Sequence, residues 1–482
     1  MINWYTDEII HATGQTVAMV FVSSGLSITL GLILGLILFL TRPQQVLAHR
    51  VSHSLLSLVV NCSRSVPFII LLISIVPLTQ WLIGTTIGTA AAIVPLTLAA
   101  IPFYARVCES AFVVVDEGLF AAAYAFGASN WQVIRYVLLA ESVPALIQGG
   151  TLTVISLIGY SAMAGAIGGG GLGELAINYG YQRFNVLVML ETVCVLIILV
   201  QGVQVVGDYL ARTRQVEKLI YGVVVCLGAL MVSSFIASYG QHTNVLRVGV
   251  VSGIDQQLLR VADKEAYHHY HVHIKPVLFS DYVQPNVALS NGSIDANIFQ
   301  HEPYLASQIK AHGYQLAVLA KTFVYPFGFY SKKINQLSQL KRGAVVAIPN
   351  DPSNEGRALL LLAKAHVIGL RDGVGLFPTP KDVIDNPKQL HFVVLDAAQI
   401  PRALSSVDLG GLTNDYSKPA GFKPDQAVML EQGDSPYANV IVVRQNEVHD
   451  KQYHALVAAI QSKAYRQAVL KQFPDGSAIS AF

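Results

Sequence analysis

The chain falls into two patterns. Long apolar stretches dominate as far as about residue 240, and short β-branched runs alternate with amphipathic ones after it. A bilayer core takes roughly 20 apolar residues of helix. The stretches 16–40, 65–83, 84–104, 142–167, 186–206 and 219–238 meet that requirement and predict six membrane spans. Small residues recur along them (Gly25, Gly31, Gly35; Gly84, Gly88), which predicts close helix packing. The connection 106–141 is the longest in this half and reads as amphipathic helix, turn, helix, with Gly127 at the break.

Beyond residue 241 the period changes. Residues 245–251 form a β-branched run ending at Ser252-Gly253, a strand and turn. Residues 256–267 read as helix and 272–279 as strand. Further strands are expected at 317–321, 345–348, 392–395 and 440–443, with helices near 353–365 and 454–468. Strands alternating with helices predict an α/β domain with parallel sheets, and its length fits two small lobes.

Charge sharpens this division. Only nine of the 32 Lys/Arg and ten of the 30 Asp/Glu precede residue 241. Lys/Arg asymmetry predicts the orientation. Arg42, Arg50, Arg64, Arg106, Arg135, Arg212, Arg214 and Lys218 fall on one side if the N-terminus is outside, and Arg183 on the other. Six spans then deliver the second half to the extracytoplasmic side. A competing reading of 212–238 is a signal peptide with a basic start and a cleavage site near Ala237-Ser238. Under either reading, residues 241–482 are exported. The net charge of +2 and the lack of a basic run argue against a nucleic-acid partner. Cys62, Cys108, Cys194 and Cys226 match neither a metal site nor a CxxC pair.

Three motifs invite chemistry. Gly168, Gly170 and Gly173 satisfy G-x-G-x-x-G, but a dinucleotide site needs a strand before it, and Glu174 stands where a P-loop needs lysine. A tightly packed turn is the expectation. No segment supplies G-x-x-x-x-G-K-[ST], so no nucleotide cofactor is expected in this chain. His268-His269-Tyr270-His271-Val272-His273 would place His269, His271 and His273 on one face of a strand or turn. Zinc accepts such ligands, but no cysteine or carboxylate is close, and a solvated helix-to-strand connection is expected instead. No nucleophile–base set stands out, so the chain does not read as an enzyme.

In the 106–141 connection, Ala121-Ala122-Ala123, Gly127 and Val137-Leu138-Leu139-Ala140 resemble the coupling loop of ABC-importer permeases. The family's glutamate is replaced by Ala121 and its proline by Ala140. Arg64-Ser65-Val66-Pro67-Phe68, the Ser161–Gly173 segment and Tyr179-Gly180-Tyr181-Gln182-Arg183-Phe184 resemble the permease of the bacterial methionine importer, over roughly residues 10–212. In the second half, Asp281-Tyr282, the segment Ile294 to Tyr304, Thr322 to Pro326, Ile348 to Arg357 and Ser435-Pro436-Tyr437-Ala438-Asn439 resemble the methionine-binding lipoprotein family. Cys226 is not placed as that family's lipidated cysteine.

These resemblances imply a mixed architecture. A five-helix ABC importer permease core (1–216) and a sixth connecting helix (217–240) precede a two-lobed α/β periplasmic-binding-protein-like domain (241–482). They imply a homodimeric permease in the bacterial inner membrane, surrounded by lipid, and a periplasmic binding domain. Separate ABC ATPase subunits would hold ATP-Mg and dock at Ala121, Ala122, Ala123 and Gly127. The solute is expected to be an amino acid, methionine first. A zwitterion needs a cation for its carboxylate and neutral acceptors for its ammonium. Arg357 could give a bidentate clamp; Asn354, Asn414 and Asn439 offer amides. Tyr282, Phe299, His301, Tyr304 and Tyr325 could wall a pocket for a thioether. Two alternatives stand. A quaternary-ammonium importer would favour aromatic cages, yet Trp4, Trp81 and Trp131 all lie in the apolar half. A non-transporting ligand-sensing receptor would need no ATPase.

Overall fold

A computed structural model describes residues 2–43, 45–213, 244–251, 255–431, 435–475 and 478–482. The stretch 219–238, its signal-peptide alternative, Cys226 and the Ser252-Gly253 turn lie outside the described residues. The chain divides into a helical unit and an α/β unit.

In the helical unit, Asp7–Leu40, Thr89–Val113, Asn130–Ala166 and Val186–Thr213 are long and apolar enough to cross a membrane. They cover four of the expected spans. The expected single span at 65–83 is broken. Helix Arg50–Ser65 meets Phe68–Ser74 at a bend of 101°, and Val76–Ile83 follows. Pro67 explains the bend: it disfavours helical backbone at the preceding residue, and Val66 is extended (φ −79°, ψ 121°).

The small residues divide by role. A Cβ on Gly35 would lie 2.6 Å from the Ala105 carbonyl oxygen and from Cys108 Cβ, so this glycine lets helices Asp7–Leu40 and Thr89–Val113 approach closely. Gly84 and Gly88 have open space around them and positive φ (79° and 87°). They turn the chain ahead of Thr89 rather than pack it, against expectation. The glycine-rich segment follows a helix, not a strand. Its Gly171 and Leu172 N–H groups donate to Gln15 Oε1 (2.8 Å) and Thr16 Oγ1 (2.9 Å), which ties the turn to the first helix.

The α/β unit holds thirteen strands among its described residues: β1 (Val245–Val251), β2 (His273–Phe279), β3 (Ala296–His301), β4 (Leu316–Val324), β5 (Gly328–Tyr330), β6 (Val345–Pro349), β7 (Gly369–Leu370), β8 (Val383–Asp385), β9 (His391–Leu395), β10 (Leu409–Leu412), β11 (Met429–Leu430), β12 (Ala438–Arg444) and β13 (Ile479–Ser480). One lobe carries the sheet β13-β4-β12-β3-β1-β2 and the other β11-β5-β10-β6-β9. The sheets are mixed rather than parallel. β12 runs antiparallel to β3 and β4, and β5 antiparallel to β10 and β11. The cause is connectivity. The chain leaves the first lobe after β4 and returns after β11, so β12 enters its sheet from the opposite direction. The expected helix at 454–468 is two, Lys451–Ile460 and Lys463–Gln472, because Ser462 caps a new N-terminus by accepting from the Tyr465 N–H. Each lobe has its own apolar core, built on Val248, Val250, Leu259, Ile441 and Leu456 in one and on Phe327, Phe329, Val346, Leu359 and Leu362 in the other.

Candidate ligand-binding cleft

The ends of several strands converge on one cleft, where doubly wound α/β folds generally place ligands. It is lined by Tyr282, Phe299, Gln300, His301, Tyr304, Tyr325, Asn354, Arg357, Thr413, Asn414, Asp415 and Asn439, around about 390 Å³ of space that includes open solvent. All nine residues singled out in the sequence for ligand contact are therefore brought together. Phe299, Gln300 and His301 end β3, and Asn439 pairs with His301 across β12. Thr413, Asn414 and Asp415 follow β10, and Asn354 and Arg357 stand on helix Pro352–Lys364.

Tyr282, Phe299 and Tyr304 form the aromatic wall, with ring centroids 5.9 to 6.0 Å apart. The Tyr304 hydroxyl donates to the Tyr282 carbonyl oxygen at 2.7 Å. Behind the wall, Asn286, Asn297 and Gln300 satisfy one another through buried amide hydrogen bonds of 2.7 to 3.0 Å.

His301 is a neutral strut. Its Nδ1 accepts the Tyr304 N–H (3.2 Å), so Nε2 carries the proton and donates to Asn354 Oδ1 (3.3 Å). Asn354 Nδ2 then donates to Asp351, which also caps the helix through the Asn354 N–H (2.9 Å). Burial, aided by the Arg357 charge, pushes His301 down to about 3. The amide of Asn354 is thus engaged by its neighbours, whereas those of Asn414 and Asn439 carry no hydrogen bond among the described residues and offer both donor and acceptor.

Arg357 differs from expectation. Its Nε donates to both oxygens of Glu431 (3.2 and 3.1 Å), and its Nη2 to Glu431 Oε2 and to the Tyr325 carbonyl oxygen (3.0 Å). Its guanidinium also lies 4.3 Å from the Tyr437 ring centroid. With that edge occupied, a bidentate clamp on a ligand is closed to it. Only Nη1 is left without a hydrogen bond among the described residues, as an end-on donor. Sequence reasoning missed Glu431, which stands 74 residues away with no local signal, and it passed over Gln300, Thr413 and Asp415. The last two flank Asn414 and could have been found from it.

The histidine run is an exposed helix-to-strand connection, as expected, and not a one-face array. His268 and His269 end helix Asp255–Tyr270, His271 sits at positive φ (52°), and His273 opens β2 and stacks on Tyr267 at 4.3 Å. No group of three metal-capable side chains forms among the described residues.

In the 106–141 connection, helix Glu117–Ala125 buries none of its residues. Ala121 and Ala122 are exposed, Ala123 is half-buried, and Gly127 has φ +81°. A capping box between Ser129 and Gln132 starts the next helix. Phe126 is 93% exposed and Trp131 66%.

Residues 246–482 match the NlpA lipoprotein family. The D-methionine-binding lipoprotein MetQ of Salmonella typhimurium is 46% identical over 257 residues, 52% of this chain and 95% of that protein. The chain belongs to the NlpA lipoprotein family. The MetQ of Escherichia coli K12 is 44% identical over the same shares. Residues 18–216 match a second family, the binding-protein-dependent transport system inner membrane component. Among solved structures, a nutrient binding protein from Burkholderia cenocepacia bound to methionine is 44% identical, covering 49% of this chain and all of that one, at a TM-score of 0.48. A periplasmic substrate-binding protein of an ABC transporter from Coxiella burnetii is 49% identical over the same shares, at 0.47. This NlpA-family domain therefore shares one polypeptide with a transport permease, a pairing that belongs to ABC-type import.

Proposed function

We propose that the chain is the permease-plus-binding-protein subunit of an ATP-driven importer for a free amino acid, methionine. The observation that carries the reading is the composition of the cleft: one cationic donor, Arg357 Nη1; two unengaged amides, Asn414 and Asn439; and an aromatic wall suited to a polarizable thioether. The binding property that the relatives' names record supports the same solute.

In this reading the N-terminus and the binding domain face the periplasm, the permease works as a homodimer in the inner membrane, and separate ATPase chains hold ATP-Mg. They dock on the exposed segment at Ala121, Ala122, Ala123 and Gly127. Two tethered binding domains per dimer would see the permease at an effective concentration on the order of millimolar, which allows import with a weaker receptor.

Calorimetry on the full-length chain in detergent tests the solute. Saturable heat with L-methionine is expected, weakened about five- to thirtyfold by Asn439→Ala, which removes two hydrogen-bonding groups. Heat with betaine and none with methionine would transfer the reading to quaternary ammonium. Co-purification with an ATPase is expected; a chain that binds solute but no ATPase in any nucleotide state would be a sensing receptor.

A further inference from the structure

The carboxylates around the cleft are not equivalent. Glu431 is neutralised by Arg357. Asp351 accepts from the Asn354 N–H, the Ser353 hydroxyl and the Asn354 amide. Asp415 is different. Its Oδ2 accepts from the Tyr282 hydroxyl at 2.9 Å. That commits the one proton of Tyr282, so Thr413 must be the donor in its 2.9 Å contact with the same oxygen. Oδ1 carries no hydrogen bond, and Asp415 has no ion pair among the described residues. The cation lining the same cleft, Arg357, is held by Glu431. Asp415 is thus a carboxylate at the cleft wall without its own counter-charge, and burial pushes it up to about 6. Leaving such a charge uncompensated is costly, and a cation arriving in the cleft would relieve that cost.

We infer that Asp415, held in place by Tyr282, is the counter-ion for the α-ammonium of the bound amino acid. This rests on the amino-acid reading of the cleft. It replaces the neutral acceptors expected from the sequence with a charged one, and it splits recognition between two poles: Arg357 Nη1 for the carboxylate and Asp415 Oδ1 for the ammonium. A solute with the thioether and carboxylate but no amine would leave Asp415 unrelieved and should be rejected.

The test compares L-methionine with 4-(methylthio)butanoate, its des-amino analogue, by calorimetry on the full-length chain in detergent. The wild type should bind methionine at least about 100-fold more tightly. In Asp415→Asn, whose amide oxygen can still accept from Tyr282, that ratio should collapse to within about fivefold, with the analogue binding no more weakly than before. Asp415→Ser serves if the asparagine variant does not fold, as judged by its melting transition. A variant that keeps the wild-type ratio overturns the inference and leaves the amino-acid reading standing. A wild type that binds both compounds equally overturns it too. A wild type that binds neither overturns both readings.

Discussion

Arg106 and Arg357 are both arginines held by a glutamate in a little-exposed setting, one in the helical unit and one in the cleft of the α/β unit. Arg106 and Glu109 stand three residues apart on one helix, with side chains 18% and 6% exposed. Arg106 also reaches the Ser57 carbonyl oxygen at 3.0 Å and the Ser57 hydroxyl, which fastens helix Arg50–Ser65 to Thr89–Val113. Arg42 adds a second, looser contact to Glu109 at 3.8 Å. Arg357 takes its glutamate from 74 residues away and lines the cleft, its Nη1 without a hydrogen bond among the described residues. The first arginine joins two helices through Ser57. The second pair holds a cation at the cleft wall and cancels most of its charge.

The largest effect should come from Arg357→Ala. Removing one partner of a buried pair strands the other, at about 3 kcal/mol, and here the ligand contact goes with it. Loss of detectable methionine binding together with a lowered melting transition is expected; binding within tenfold of wild type would show that the cleft does not use this cation. Arg106→Ala should lower stability by a similar roughly 3 kcal/mol but leave the methionine affinity within about twofold, because the pair it breaks lies outside the cleft. A large affinity change would mean that the two pairs are not separable in role.

The comparison can be sharpened with pH. Asp415 faces Tyr282, Tyr416 and Arg357, with Asp281, Asp351 and Asp396 farther off. Its folded value near 6 lies above the ordinary 3.8. The stability it contributes is therefore complete below 3.8 and is lost as pH rises through 6. His301, pushed down to about 3 from 6.5, acts oppositely: its contribution is complete above 6.5 and is lost as pH falls toward 3. Between pH 6 and 4 the two oppose each other in the wild type. In Asp415→Asn the histidine acts without that opposition, so the unfolding free energy of the ligand-free variant, from urea titrations, should fall more steeply with acid, by about 1.4 kcal/mol per pH unit. Parallel profiles would refute the assignment. The smallest effect is at Asn439. Its amide has no partner to strand among the described residues, so Asn439→Ala should cost about 1–2 kcal/mol of ligand affinity with an unchanged melting transition in the absence of ligand.

Much of the fold and the cleft is legible in the sequence, unevenly. β1 is readable to the residue because a β-branched run with a turn behind it has few other uses. The nine cleft residues are readable because their motifs are long. The partner of Arg357 is not, since Glu431 sits in no local pattern and is brought there by the pairing of β11 with β5. The break after Ser65 is written in Pro67, but the apolar run beyond it masks the signal. Gly84 and Gly88 read as packing residues because composition does not distinguish a glycine needed for its size from one needed for its φ.

The strand β12 has a consequence for how the molecule is made. It lies between β3 and β4 in the first lobe's sheet, yet it is synthesised only after the whole second lobe. Until residues 438–444 arrive, β3 and β4 present facing edges of unpaired N–H and C=O groups, which are open to pairing with other chains. The closing contacts span more than a hundred residues of sequence, a topology that folds slowly. A chain interrupted after β11 would thus lack the middle of a sheet rather than a tail, and during export the early lobe must be kept from sticking until its last strand emerges.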